Sequence, residues 1–466
     1  MHVVVGAGPA GLTTAWELSR RSEPVVVLER DPEYVGGIAR TVRYHGYRFD
    51  LGGHRFYTKH PSIEALWHVM LPDDFLTVPR LSRIYYEGTF FRYPIELADA
   101  LPKLGVVRAR RILASYAHAR LRPRRPVVSF EDWVVNRFGS ELFETFFRSY
   151  TEKVWGVPCD ELSADFAAQR IRGLSLWEVI RSAVGHGRTD AKTLLTAFQY
   201  PRRGPGQLWE RVGEIVCENG GSIELGCEVA TIEHRDGVVL GVTATDGRVF
   251  PCDHLYSTMP LRELIAALVP PPPAPVVTAA AALRFRDFLT VAVIVERAGL
   301  FPDNWIYIHS PDVRVGRIQN YGNWSEAMLA DPATSCLGLE YFCQRDDELW
   351  SRSDEDLGQL AIAELATIGL VDPAECVDTS VVRVRDAYPV YGPDYRAARE
   401  LVKTYLNESF VNLHPAGRGG VHNYNSQDHS MMAGLVQARH VLDGSRGDVW
   451  KINTDHEYAE TDLAGD

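Results

Sequence analysis

The residues best suited to chemistry open the chain. Val3-Val4-Val5-Gly6-Ala7-Gly8-Pro9-Ala10-Gly11 is an apolar, β-branched run closed by a G-x-G-x-x-G turn. Residues 12–19 then follow a helical period, and Pro24-Val25-Val26-Val27-Leu28 is a second apolar run ending in Glu29. Each part has a physical task. Gly6 allows a sharp turn, Gly8 removes the Cβ that would block a pyrophosphate, and Gly11 lets helix and strand pack closely. The helix N-terminus offers free N–H groups and a positive dipole end to phosphates. Glu29 is placed to accept both hydroxyls of an adenosine ribose and would repel a phosphate there, so the motif predicts FAD or NAD(H) rather than NADP(H). Gly36-Gly37 and Gly52-Gly53, the second pair followed by His54, let backbone approach a flat ligand, as a flavin ring requires. No Ser-His-Asp order, nucleophilic-cysteine context or metal-ligand spacing points to another chemistry.

The elements that must hold these residues exceed one domain, since 466 residues can bury two or three cores. A hydrophobic content of 45% with 24% charged residues describes a globular protein. The net charge of -12 argues against a nucleic-acid binder, so an anionic ligand needs a local cluster of cations. Seven scattered cysteines without a CxxC pair suit a reducing compartment. With no apolar leader and no apolar run of about 18 residues, a cytoplasmic protein without a membrane span is expected.

The patterning predicts an α/β protein: a Rossmann-like, discontinuous nucleotide-binding domain (1–60, 200–280 and 386–450), a mostly helical insertion (61–199), an antiparallel β-sheet domain (281–385) and a polar tail (451–466). Helical periods are expected at 63–70, 106–120, 130–155 and 174–184. The prolines of 269–275 are expected to form a polyproline II linker. Arg108, Arg110, Arg111, Arg120, Arg122, Arg124 and Arg125 form a basic run. It reads as a solvated helix face in preference to a membrane-surface or phosphate patch, because no aromatic stripe accompanies it.

The glycine pairs after the dinucleotide motif resemble the FAD-binding pattern shared by amine oxidases, protoporphyrinogen oxidases and UDP-galactopyranose mutases. Further segments narrow the resemblance. Ser149-Tyr150-Thr151-Glu152-Lys153-Val154-Trp155-Gly156 looks like the YT-x-K-x-WG segment of UDP-galactopyranose mutases, and Tyr93-Pro94-Ile95-Glu96 resembles their aromatic-Pro nucleotide-binding stretch. Tyr200-Pro201-Arg202-Arg203-Gly204-Pro205-Gly206, Asp386-Ala387-Tyr388-Pro389 and Gly417-Arg418-Gly419-Gly420, followed by Tyr424 and Gln427-Asp428-His429-Ser430, look like segments of the eukaryotic-type members.

The resemblance implies FAD, active when reduced, held by the glycines named above together with Pro9, Ala10, Glu29, Arg30, His54, Val229, Arg418, Gln427, Asp428 and Ser430. It implies a nucleoside-diphosphate sugar as partner. Arg170 and Arg314 fall where that family keeps its diphosphate-binding arginines, Tyr388 and Tyr424 where its diphosphate-binding tyrosines sit, and Thr151 and Trp155 at its sugar site. Tyr93, Glu96, Asn320 and Tyr321 complete the expected substrate set.

The implied reaction interconverts pyranose and furanose rings, with reduced flavin N5 attacking the anomeric carbon while Arg170 and Arg314 neutralise the departing diphosphate. His54 is expected to tune the flavin's protonation or redox state. Glu96 and Thr151 depart from the eukaryotic-type pattern. A carboxylate at 96 would suit the N1–H and N2–H₂ edge of guanine better than uracil. The runner-up is an FAD-dependent oxidase or dehydrogenase of the amine oxidase or protoporphyrinogen oxidase kind. NAD(P)H is expected at most as an external reductant, since a second G-x-G-x-x-G is absent. The sequence leaves the oligomeric state open.

Overall fold

The structure is a computed structural model that describes residues 1–164, 166–167 and 196–453. The helical period at 174–184, Arg170 and the end of the polar tail lie outside the described residues.

The opening run forms β1 (His2–Val5), α1 (Pro9–Ser19) and β2 (Val25–Leu28). β1 pairs in parallel with β2 on one side and with the strand His254–Ser257 on the other. Leu413–Pro415 and Ser222–Glu224 complete a five-stranded sheet at its two edges, all pairings parallel. Both faces are covered, so β1 and β2 read as unbroken apolar runs rather than alternating ones. The crevice beyond the carboxyl ends of such strands is where ligands bind in this architecture. The helix Gln427–Asp443 packs on α1 with Gly434 at the contact, where any Cβ would collide with the Ala10 carbonyl.

The second layer is a seven-stranded sheet in the order Cys376–Pro389, Phe285–Val295, Ser335–Cys343, Arg317–Asn320, Trp305–Ile308, Ser82–Tyr86, Thr89–Arg92. Its second strand, Phe285–Val295, is buried along its whole length, and the apolar run FLTVAVIV gives it two covered faces. All neighbours are antiparallel except Trp305–Ile308 and Ser82–Tyr86, which run parallel.

Segment 61–199, expected to be mostly helical, contributes strands as well. The segment does hold helices at Pro61–Met70, Leu97–Leu121, Phe130–Phe138 and Ser149–Trp155. It also holds the strands Phe75–Pro79, Ser82–Tyr86, Thr89–Arg92 and Ala197–Pro201. Glu87 and Gly88 turn the hairpin with φ of 45° and 76°. Two successive positive φ values match the right-handed twist of a tight hairpin, and the flanking Tyr85, Tyr86, Phe90 and Phe91 suit a pleated surface.

The proline stretch is corrected too. Pro275 sits in the first turn of a helix, Ala274–Ala282, a position where its missing N–H costs nothing, so only the preceding prolines remain irregular. No helix among the described residues is long and apolar enough to cross a membrane.

Candidate functional site

The glycine motif is built for a pyrophosphate. Gly6 has φ of 96°, and a Cβ there would strike the Thr258 hydroxyl; a Cβ on Gly11 would strike the Gly6 carbonyl. These two glycines are required by the protein itself. Gly8 is different: its φ is -77°, and a Cβ would meet nothing nearer than Gly37 Cα at 4.0 Å. Gly37 is close by, so that its own Cβ would stand 3.2 Å from Gly8 Cα, and with neither glycine carrying a side chain the N-terminus of α1 is left bare for a diphosphate.

Glu29 is buried at the end of β2, its Oε2 accepting the Ala7 N–H at 2.6 Å and its Oε1 the Asp31 N–H at 2.9 Å. Val229 starts its strand two residues after Cys227, whose N–H donates to the Glu29 carbonyl at 2.8 Å. Arg30 lies outside this cradle, partly exposed, its guanidinium 3.9 Å from Glu263.

The far wall comes from the end of the chain. Gly417, at φ of 77°, lies against Ala10, so that a Cβ would be 2.8 Å from Ala10 Cβ. Arg418 donates to the carbonyls of Asn425 (2.8 Å) and Ala387 (3.1 Å). Gln427 accepts from Trp209 Nε1 at 2.8 Å and reaches the His54 carbonyl at 3.5 Å, tying this helix start to the histidine loop. Asp428 accepts from the Ser426 hydroxyl, and the Ser430 N–H closes the first turn on Ser426. Asn425 is 1% exposed, yet neither amide atom has a partner among the described residues. A buried amide without partners is costly unless a ligand satisfies it. The cradle and this amide together fit an FAD.

At the reactive end four segments converge. A Cβ on Gly52 would lie 3.6 Å from His54 Nε2 and 3.7 Å from both Glu340 Oε2 and Tyr388 Oη. His54 Nε2 is 2.8 Å from the Leu51 carbonyl and must therefore carry the proton there. Burial, then the charge of Arg418, holds this imidazole down at about 4, so the ring is neutral at neutral pH.

Glu340 is fully buried opposite Arg317 in strand register; its two oxygens take Arg317 Nη2 and Gln319 Nε2, each at 2.7 Å. Burial opposes the charge on Arg317, but Glu340 and the phenols of Tyr150 and Tyr388 outweigh it and keep the guanidinium firmly protonated. Its Nε has no partner among the described residues. Tyr388 and Tyr424 stack at 5.6 Å with 13° between their planes, Arg418 lies 5.3 and 4.8 Å from the two rings, and Trp155 meets both edge-on.

Tyr150 stacks on His309 at 4.4 Å, and Tyr93 sits 4.7 Å from Tyr307. Thr151 is buried on the same helix as Tyr150 and Trp155. Lys153 is pinned by the carbonyls of Ile308, Ser310 and Val315, which fixes that helix against the sheet.

Several expected site residues stand elsewhere. Arg314 precedes the strand; its N–H and that of Val315 are held by the Glu364 carboxylate, and its half-exposed side chain points to Glu348 at 3.6 Å. The inward cation is Arg317, three residues on, because the alternation of the strand Arg317–Asn320 sets the phase. Asn320 donates to the Phe301 carbonyl and Tyr321 to the Asp50 carbonyl, both buried, Tyr321 within electrostatic reach of Glu340 and Arg317. Glu96 lies on the surface at the start of the helix Leu97–Leu121, 3.2 Å from Arg92. Sequence reasoning missed Arg317, Glu340, Gln319 and Asn425. Glu340 had a signal, being the lone charge in the apolar run Ser335–Cys343.

Asp50, just before the glycine pair, is buried and accepts from the hydroxyls of Thr41 and Tyr200. Burial pushes its carboxyl up to about 7 despite these donors. The folded pKa is thus above the unfolded value near 4, and the stabilisation from proton binding is complete below that value and lost as pH rises through 7. The difference corresponds to about 4 kcal/mol. Asp50→Asn, which cannot ionise, is expected to gain up to that amount relative to the parent chain between pH 4 and pH 8, read by urea unfolding at both values.

The model of the family "Flavin containing amine oxidoreductase" matches residues 9–442. Over 183 residues, 35% of this chain and 42% of the relative, the chain is 24% identical to a protein named probable UDP-galactopyranose mutase from Klebsiella pneumoniae. Over 103 residues, 21% of this chain and 20% of the relative, it is 35% identical to a 1-hydroxycarotenoid 3,4-desaturase of a Flavobacterium strain. The chain thus spans less than half the length of either curated relative.

Among solved structures, reduced UDP-galactopyranose mutase superposes with a TM-score of 0.84 over 98% of this chain and 96% of its own, at 21% identity. Putrescine oxidase bound to putrescine gives 0.63 over 95% and 98%, at 17% identity. With the family model covering nearly the whole length and a cradle shaped for FAD at its core, the chain belongs to the flavin containing amine oxidoreductase family.

Proposed function

We propose that this flavoenzyme is a nucleotide-sugar mutase, interconverting pyranose and furanose forms of a sugar carried on a nucleoside diphosphate. One observation carries the reading: a closed pair of tyrosines roofed by Arg418 stands beside the buried Arg317–Glu340 pair, next to the His54 loop. Guanidinium forks and phenols suit a diphosphate.

When bound and reduced, the flavin supplies a nucleophilic nitrogen. The chain's own groups do the rest. Arg317 and Arg418, joined in the proposal by Arg170, neutralise charge that develops on the leaving diphosphate, in a setting where aromatic walls exclude water. Burial, followed by the neighbouring Tyr424, keeps the Tyr388 phenol protonated, so it donates to a phosphate oxygen instead of repelling it. Trp155 and Thr151 border the space left for the sugar. His54, neutral and anchored on the Leu51 carbonyl, holds the loop and presents an uncharged ring to the flavin. NAD(P)H is the proposed external reductant.

Amine oxidation, the second reading, has the family's name in its favour. An ammonium substrate is held best between open aromatic faces, and a nearby cation opposes its binding. Tyr388 and Tyr424 are in contact with each other, and a guanidinium 4.8 Å away would repel an ammonium.

The test is incubation of the dithionite-reduced protein with a panel of nucleotide hexoses, with NMR detection of furanose signals. Ring contraction without net oxygen uptake is the expected result. Oxygen consumption with an amine, and no furanose, would replace the mutase reading by an oxidase. Competition between UDP and GDP decides the base.

A further inference from the structure

We propose that the second part of the helix Leu97–Leu121, with the turn that follows it, docks this protein on an anionic membrane surface. From residue 100 to residue 130 the chain carries Lys103 and seven arginines and not one Asp or Glu, although its net charge is -12. The helix breaks at Gly105, with φ of 80°, so residues 106–121 form a separate rod. At 3.6 residues per turn, Val106, Leu113, Ala117 and Leu121 align on one side, with Val107 beside them.

That side faces water. Val106 is 68% exposed, Val107 75%, Leu121 83%, and Val128 in the following turn 66%. Exposed aliphatic residues aligned on one face call for a covering surface, unlike scattered single ones. The cations border the stripe. Arg108 turns inward to Glu87 and Tyr86, and Arg124 pairs with Glu131. Arg110, Arg120, Arg122 and Arg125 make no ion pair with any described residue.

An aliphatic stripe edged by arginines without an ion pair among the described residues fits the headgroup boundary of a lipid layer. There valine and leucine side chains enter the acyl region and guanidinium groups meet phosphates. A protein partner would ask for a concave or aromatic hot spot, and nucleic acid gives aliphatic side chains nothing to bury against. The sequence alone favoured a solvated face; the aligned, exposed valines and leucines change that reading.

The experiment uses the FAD-loaded, full-length chain in flotation with vesicles of phosphatidylcholine alone or with about a third phosphatidylglycerol. Expected is flotation with the anionic vesicles only, weakening as salt rises from 0.05 to 0.5 M. Each arginine should contribute about fivefold in partition, equivalent to about 1 kcal/mol, so Arg110→Ser/Arg120→Ser/Arg122→Ser should bind roughly a hundredfold more weakly with unchanged flavin content and turnover. Val107→Ser/Leu121→Ser should abolish the binding that survives at high salt. Equal partition onto both vesicle types, a triple variant that floats like the parent, or retention on DNA or an acidic protein without flotation would each overturn the proposal.

Discussion

Replacement of Arg317 by alanine is expected to lower turnover of a nucleotide sugar by roughly 10² to 10³-fold while FAD stays bound, and Arg314→Ala to change it by no more than about twofold. The contrast follows from geometry. Arg317 is held between Glu340 and the tyrosines with one guanidinium nitrogen uncommitted, while Arg314 faces solvent beside Glu348. Removing Arg317 also strands the fully buried Glu340, which costs about 3–5 kcal/mol of stability. Arg317→Ala/Glu340→Gln should recover much of that stability without recovering turnover, which separates leaving-group stabilisation from folding. Arg317→Lys keeps a charge but loses the fork, and should fall between. Steady-state kinetics beside flavin absorbance checks all four variants. An inactive Arg314→Ala with an active Arg317→Ala would refute the assignment.

The second large effect concerns the two glycines that flank the phosphate turn. Gly8→Ala is expected to leave the apoprotein about as stable as before, because its φ is ordinary, its Cβ would only touch Gly37 Cα at 4.0 Å, and the entropic gain offsets alanine's poorer fit at the N-cap. Its FAD affinity should nevertheless fall by roughly 10 to 100-fold, since a methyl group displaces charge-assisted bonds each contributing about 1.5–3 kcal/mol. Gly11→Ala collides with the Gly6 carbonyl, so it should lose the cofactor and lower stability by about 1–3 kcal/mol or more. Melting temperature of the apoprotein and titration with FAD separate the two outcomes. Unchanged FAD binding in Gly8→Ala would show that the diphosphate lies elsewhere.

What the sequence makes legible here is whatever depends on neighbours along the chain. The β1-α1-β2 unit, the acid at 29 and the helix after Gly417-Gly420 each carry their own glycine, periodicity or cap, and each forms where its residues indicate. The Glu87-Gly88 hairpin was hidden because its strands are four or five residues long and aromatic, too short to set an alternation. The exchange of Arg314 for Arg317 is a matter of phase: a cation near a strand was visible, but its facing depends on where the strand begins. Partners such as Asp50 and Tyr200, 150 positions apart, meet only through tertiary packing. Glu340 looks out of place in an apolar run and makes sense only with Arg317 across from it.

The parallel sheet has a bearing on how the enzyme is made. β1 and β2 precede in the chain the strands that flank them, 254–257 and 222–224; the edge strand 413–415 pairs in turn with 254–257, and α1 packs on the helix that ends at Asp443. Flavin loading is therefore expected only after residues 413–443 have been made. A nascent chain stalled before residue 413 should carry no cofactor, however well its opening strands have formed.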